Sequence, residues 1–345
     1  MRIWVLLGVA AAGAGIGLLV RPSERDHGRT DGRSPQAPPD HLPSTAAGPV
    51  DLLLDVRASP ASPAAQKSLA AFAIAQAARG RDAVPDLVDL LRKPDIDCGK
   101  QWEFTDGQLR EYPSVRAACL DALRRIDTPD STRALRSWLD VTEVAGEAYL
   151  VGLALSERGE TGFAPRLLDV AVEADGSVPL EMVRLAAVSD PSVTARRIAD
   201  GAPRGAEDRD AGVLARGLAF VPWEQAAPVA RGLLEETAVT GKARVRYAEA
   251  LLARPEADAL RVVREAFERG AFPAKAAGEL AEHAVAARAF GEDLRAAREG
   301  DSAARARAEA RAVEARRLID AAERAGAEGT EALRSRLASR LERGR

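Results

Sequence analysis

The stretch Ser114-Val115-Arg116-Ala117-Ala118-Cys119-Leu120-Asp121-Ala122-Leu123-Arg124-Arg125-Ile126 decides the fold. Val115, Ala118, Cys119, Ala122, Leu123 and Ile126 follow the i, i+3, i+4, i+7, i+8, i+11 spacing of one buried helix face. Asp127-Thr128-Pro129-Asp130 then turns the chain, and Leu135, Trp138 and Leu139 mark a second apolar stripe. The unit reads as a helix, a tight turn and an antiparallel helix.

Working outward, the same unit recurs. Roughly 48 residues upstream, Ala70, Ala71, Ile74, Ala75 and Ala78 align with Ala118, Cys119, Ala122, Leu123 and Ile126, and Leu87, Leu90 and Leu91 follow as the second stripe. Downstream it returns in Gly159 to Leu168, around Asp190-Pro191, in Pro222 to Leu234 and in Val245 to Asp258. The second-helix markers Arg133, Pro165, Ala195, Pro228 and Ala259 fall roughly every 32 residues. A helix pair of this kind cannot bury its apolar stripe alone, so a regular period predicts stacked pairs.

Val115 to Leu139 resembles a short HEAT repeat of the kind found in phycobilisome-lyase-like HEAT proteins. The shared features are the Val115-Arg116 opening, an Ala-rich first helix, an acidic Pro-containing turn and a Leu-rich second helix; Val245-Arg246 to Val263 repeats them. The resemblance covers about residues 60 to 285 and implies an α-solenoid that works by binding other proteins. It also implies two enzymatic cousins, chromophore lyases and helical-repeat DNA glycosylases. The repeats near 143 to 200 lack the Val-Arg opening, which leaves the repeat count open.

Composition narrows the function. The 345 residues carry 49 basic and 52 acidic side chains, a net charge of -3, so a phosphate-neutralising nucleic-acid binder is not expected. Three His and two Cys leave little for metal or nucleophile chemistry. His27 and His41 sit in a Pro-rich stretch, and nothing marks a catalytic partner for His283. No catalytic residue, metal ligand, cofactor or small-molecule substrate is therefore expected. With aromatics at only 4%, the core must rest on Ala, Leu and Val.

The second unit arrives late because something is inserted at 96–113. Gln101 to Tyr112 alternates apolar and polar residues about Asp106-Gly107, a strong hairpin signal because both turn positions need φ > 0. A two-residue loop sets Phe104 opposite Leu109 and Glu103 opposite Arg110. Two readings stay open for Trp102, Phe104, Leu109 and Tyr112: a partner-contact projection, or a hairpin folded back over the apolar edge of the first repeat. Cys98 at its base and Cys119 on the next helix are a candidate disulfide if the body is exported, worth about 3 kcal/mol by chain entropy. The other reading has two free thiols, with Cys119 a small core residue.

At the start, Ile3 to Val20 carry no charge between Arg2 and Arg21. As a helix this run is about 27 Å long, just enough for a hydrocarbon core of roughly 30 Å. Residues 1–20 read as a transmembrane anchor, with a signal peptide cleaved after Ala12-Gly13-Ala14 as the competitor. The 21–50 stretch, with six prolines, reads as a disordered tether. Arg21, Arg25, Arg29 and Arg33 favour a cytoplasmic C-terminal side, whereas a very short leader favours export, which is the expectation adopted: single-pass, with the body periplasmic.

The expected organisation is thus an all-α chain: an anchor at 1–20, a linker at 21–50, a solenoid of HEAT-like pairs at 51–285 with one inserted β-hairpin, and Ala/Arg/Glu-rich capping helices at 286–345. In the last part Leu333, Leu337 and Leu341 form a narrow apolar stripe, and the accounts are a polar cap or a basic helix that touches anionic lipid or nucleic acid. The functional expectation is a membrane-anchored, non-catalytic scaffold for protein partners. The alternatives are a self-associating envelope protein and a chromophore-lyase-like HEAT enzyme.

Overall fold

The computed structural model describes residues 53–174, 178–201, 208–235, 239 and 241–343. These residues are all-α apart from one two-stranded hairpin. The helices are α1 (Leu54–Ala58), α2 (Pro63–Arg79), α3 (Val84–Leu91), α4 (Val115–Arg125), α5 (Pro129–Val141), α6 (Ala145–Glu157), α7 (Ala164–Glu173), α8 (Val178–Ser189), α9 (Pro191–Gly201) and α10 (Asp208–Leu218). They continue with α11 (Trp223–Glu235), α12 (Gly241–Leu252), α13 (Ala257–Glu268), α14 (Ala274–Ala286), α15 (Arg288–Arg298), α16 (Ser302–Arg324) and α17 (Thr330–Glu342). Strands β1 (Phe104–Thr105) and β2 (Gln108–Leu109) lie between α3 and α4. No described helix is long and apolar enough to cross a membrane. The expected anchor at 1–20 and linker at 21–50 lie outside the described residues.

The chain divides into two compact units, one ending at Leu135 and one beginning at Arg136, so the division falls inside α5. In the first unit, α2 and α3 pack on α4. Ser114 starts α4 by accepting the Ala117 amide at 3.2 Å, and Ser62 does the same for α2 through Ala65 at 3.1 Å, each satisfying one orphan donor of the first turn. The α4 stripe is buried as its spacing predicts, with Ala118, Cys119, Ala122 and Leu123 fully enclosed.

The face assigned to α2 is corrected. Its buried residues are Ala65, Leu69, Phe72, Ala73 and Gln76, while Ile74 is 59% exposed. These match Val115, Cys119, Ala122, Leu123 and Ile126 at an offset two residues longer than the one expected. Two residues rotate a helix by about 200°, which exchanges its faces. Alanine on every side of α2 gives no face of its own, so only Leu69 and Phe72 carry the signal.

In the second unit, helices pack on their next-but-one neighbours in two ladders. One runs α6, α8, α10, α12, α14; the other runs α7, α9, α11, α13 and ends on α16. Close approach depends on small residues. A Cβ on Gly217 of α10 would sit 2.7 Å from Val183 Cγ1 of α8 and 3.0 Å from Ile198 Cδ1 of α9. The α7-to-α16 ladder is laced by ion pairs between neighbours: Arg197–Asp169 at 2.5 Å, Arg269–Glu235 at 3.0 Å and Arg264–Glu314 at 3.3 Å. The first two are well exposed and fix register more than they add stability.

Hydrophobic packing is continuous across 285/286, the boundary expected between repeats and capping helices. One hydrophobic cluster runs from Ala187 in α8 to Leu337 in α17 and takes in Ala308, Ala312, Ala315, Leu318 and Ile319 of α16. Despite its Arg-rich sequence, α16 is a core element packed on α13, α14 and α15.

Arginines bind the helix ends across neighbouring pairs. The last carbonyls of a helix have no partner within it and carry the negative end of its dipole, which suits a guanidinium. Arg166 donates to Leu139 O at 3.2 Å and Thr142 O at 2.7 Å, at the end of α5. Arg254 donates to Leu218 O and, at 2.8 Å, to Val221 O, closing α10. Arg311 of α16 donates to Arg254 O and, at 2.6 Å, to Leu252 O, closing α12. Arg340 of α17 donates to Val285 O and, at 2.9 Å, to Ala287 O, closing α14. In each case a later segment caps an earlier helix.

Candidate functional site

The inserted hairpin is the first candidate. Asp106 (φ 51°) and Gly107 (φ 73°) occupy the left-handed region that a two-residue loop demands, and Phe104 pairs with Leu109. The Arg110 amide donates to Glu103 O at 3.0 Å, and the two side chains approach to 3.4 Å on the solvent side. Trp102 and Phe104 stack at 6.2 Å on the opposite face, where Leu109 is also half-buried.

The hairpin is tied down rather than projecting. Arg124 of α4 donates to Gly107 O at 2.6 Å, pinning the tip. Below it, the Gln66 side chain of α2 clasps the Tyr112 backbone, accepting its amide at 2.8 Å and donating to its carbonyl at 2.9 Å. The Tyr112 hydroxyl donates to Asp121 Oδ2 at 2.7 Å, and Arg125 holds the same oxygen at 2.9 Å. Burial and then the Asp121 charge raise the Tyr112 phenol above its ordinary range. Tyr112 therefore points inward and is removed from the expected contact set. Tyr112→Phe should cost about 1.5–3 kcal/mol in urea unfolding, since it strips a hydrogen bond from a nearly buried carboxylate. A cost below about 0.5 kcal/mol would show that the latch is idle.

Cys98 and Cys119 are free thiols, both fully buried, in place of the bridge considered from sequence. Burial, with Asp95 and Asp97 nearby, pushes the Cys98 thiol up to about 11. Burial and Asp95, against an opposing Arg116, push Cys119 up to about 12. The thiolate is the reactive form, so near neutral pH neither is poised as a nucleophile.

The second candidate was not singled out from sequence. A cavity of about 280 Å³ opens between α14 and α17, lined by Glu282, Val285, Ala286, Leu333, Arg336, Arg340 and Arg343. Arg336 and Arg340 stand one turn apart on α17, and Arg343 follows as its C-cap residue. Arg336 meets Glu282 at 2.5 Å. Arg340 caps α14 and lies 5.1 Å over the Phe290 ring, in room left by Gly291, where a Cβ would come within 2.6 Å of the guanidinium. Burial lowers the Arg340 pKa, and the Arg343 charge lowers it further. The available signal was the Arg336/Arg340/Arg343 spacing beside the Leu333 stripe, but the other wall lies some fifty residues upstream.

Elsewhere, His283 is half-exposed with Nδ1 3.8 Å from Glu249, and His27 and His41 lie outside the described residues. Among the described residues no three His, Cys, Asp or Glu side chains gather as metal ligands would. No protein-family model, curated protein or solved structure matches the chain.

Proposed function

We propose that this chain is a non-catalytic α-solenoid scaffold of HEAT-like helix pairs that binds a partner protein. Residues 3–20 hold it at the membrane, and the body lies outside the cytoplasm. The observation that carries this reading is the next-but-one packing from α6 to α16. Such stacking multiplies parallel helix faces that no neighbouring helix covers, and extended recognition uses faces of this kind. The anchor confines the search to partners near the membrane and raises their effective concentration. An inward-turned tyrosine latched to Asp121 agrees with a body built to hold shape.

Photo-crosslinking in cells tests the proposal. Crosslinkers placed at the exposed Arg216, Arg246 and Glu279 on one ladder, and at Arg196, Arg231 and Glu268 on the other, should trap one heterologous protein from one ladder only. Adducts made solely of further copies of this chain would replace the scaffold with a self-associating envelope spacer. An alkaline phosphatase fusion at residue 45 should be active if the body is exported, and inactive if it is cytoplasmic.

A further inference from the structure

The groove between α14 and α17 differs in charge from the opposite side of α17. On the other side of α17, Arg334 is saturated by Asp320 at 2.9 Å, Glu331 at 3.2 Å and Glu323. Three arginines line the groove against one carboxylate, Glu282, which pairs with Arg336. Among the described residues Arg343 has no carboxylate partner, and its charge opposes that of Arg340. The floor is apolar, made by the buried Val285 and Leu333 with the exposed Ala286 at its rim, and the cavity is large enough for one leucine- or phenylalanine-sized side chain. A flat lipid surface is met by protruding apolar residues, and these do not protrude.

We propose that this groove docks an acidic peptide segment of a partner protein: one bulky apolar side chain enters the cavity, and flanking carboxylates meet Arg343 and the outer edge of Arg336. The assignment rests on the scaffold reading and gives that partner a chemistry. Bidentate geometry makes arginine suited to carboxylates. Exposed charge pairs weaken with salt, so affinity should fall as ionic strength rises.

The test uses the full chain in neutral detergent and a rhodamine-labelled probe, acetyl-Glu-Asp-Phe-Glu-Asp, followed by fluorescence anisotropy. Saturable binding is expected, with at least a ten-fold loss for Arg343→Glu and for Ala286→Trp, which fills the cavity from an exposed position. A probe with Lys in place of its acids should not bind, and one with Gly in place of Phe should bind at least ten-fold more weakly. Unchanged melting temperatures for both variants would exclude misfolding as the cause. Absent binding, binding indifferent to Ala286→Trp, or displacement of the probe by phosphatidylglycerol-doped micelles would each overturn the assignment. If the probe fails while crosslinks from α10 and α12 still reach a partner, the groove assignment falls and the scaffold stands.

Discussion

Arg311→Ala is expected to cost about 3–5 kcal/mol, among the largest losses open to a single substitution in this chain. The side chain is fully buried in the middle of α16. Its guanidinium closes α12 through Leu252 O and Arg254 O, and Arg254 in turn closes α10. Removing it leaves those carbonyls buried without donors, at about 1–3 kcal/mol each, and opens a cavity. It also strips a neighbouring positive charge from Asp293, which is itself nearly buried and paired with Arg307 at 2.8 Å.

Opposing terms exist. Burial lowers the Arg311 pKa to about 10, and its Nε has no hydrogen-bond partner, so the side chain is costly to hold in place. Arg311→Met separates the contributions, because it keeps the packing, deletes the charge and leaves the carbonyls bare. We expect Met to fall between wild type and Ala in urea unfolding. A Met variant as stable as wild type would show that the carbonyls do not need the guanidinium, and that α16 is held by apolar packing alone.

Phe72→Ala should cost about 3–5 kcal/mol, whereas Ile74→Ala, two residues away, should stay within about 0.5 kcal/mol. Phe72 is fully enclosed in α2, which packs on α4, whereas Ile74 is 59% exposed. The pair tests the rotational setting of α2 directly. Similar losses at both sites, or the reverse order, would restore the face first expected and turn α2 around its axis.

That contrast also shows where the sequence was legible. In α4 every position of the expected stripe is buried, but Ala117 and Leu120 off that stripe are fully enclosed as well, so the helix is covered on more than the one side its spacing marks. The Asp106-Gly107 turn was readable because few residues tolerate two successive positive φ values, and the register followed from loop length. In α2, alanines at 65, 70, 71, 73, 75, 77 and 78 blur the periodicity, and alignment on small residues slipped.

In α16 the obstacle was charge. An arginine flanked by Ala and Glu reads as surface until the helix ends it caps are known, and those of Arg311 lie near residues 252 and 254. The α14–α17 groove shares this difficulty, since its two walls are distant in sequence. The hairpin's fate was settled by Gln66 and Arg124, polar residues whose reach no periodicity encodes.

The central claim is that helix pairs of the second unit add one after another in a line. Pulsed electron-paramagnetic distance measurements test it, with spin labels at Val188→Cys in α8, Arg216→Cys in α10, Arg246→Cys in α12 and Glu282→Cys in α14, all exposed positions. The native thiols are buried and should stay unlabelled. Packed helix axes lie about 8–10 Å apart, so the mean separation should grow by roughly 10 Å per step and reach about 30 Å between α8 and α14. A separation that stops growing, with the α8 and α14 labels as close as neighbours, would mean a closed bundle and contradict the stacked array.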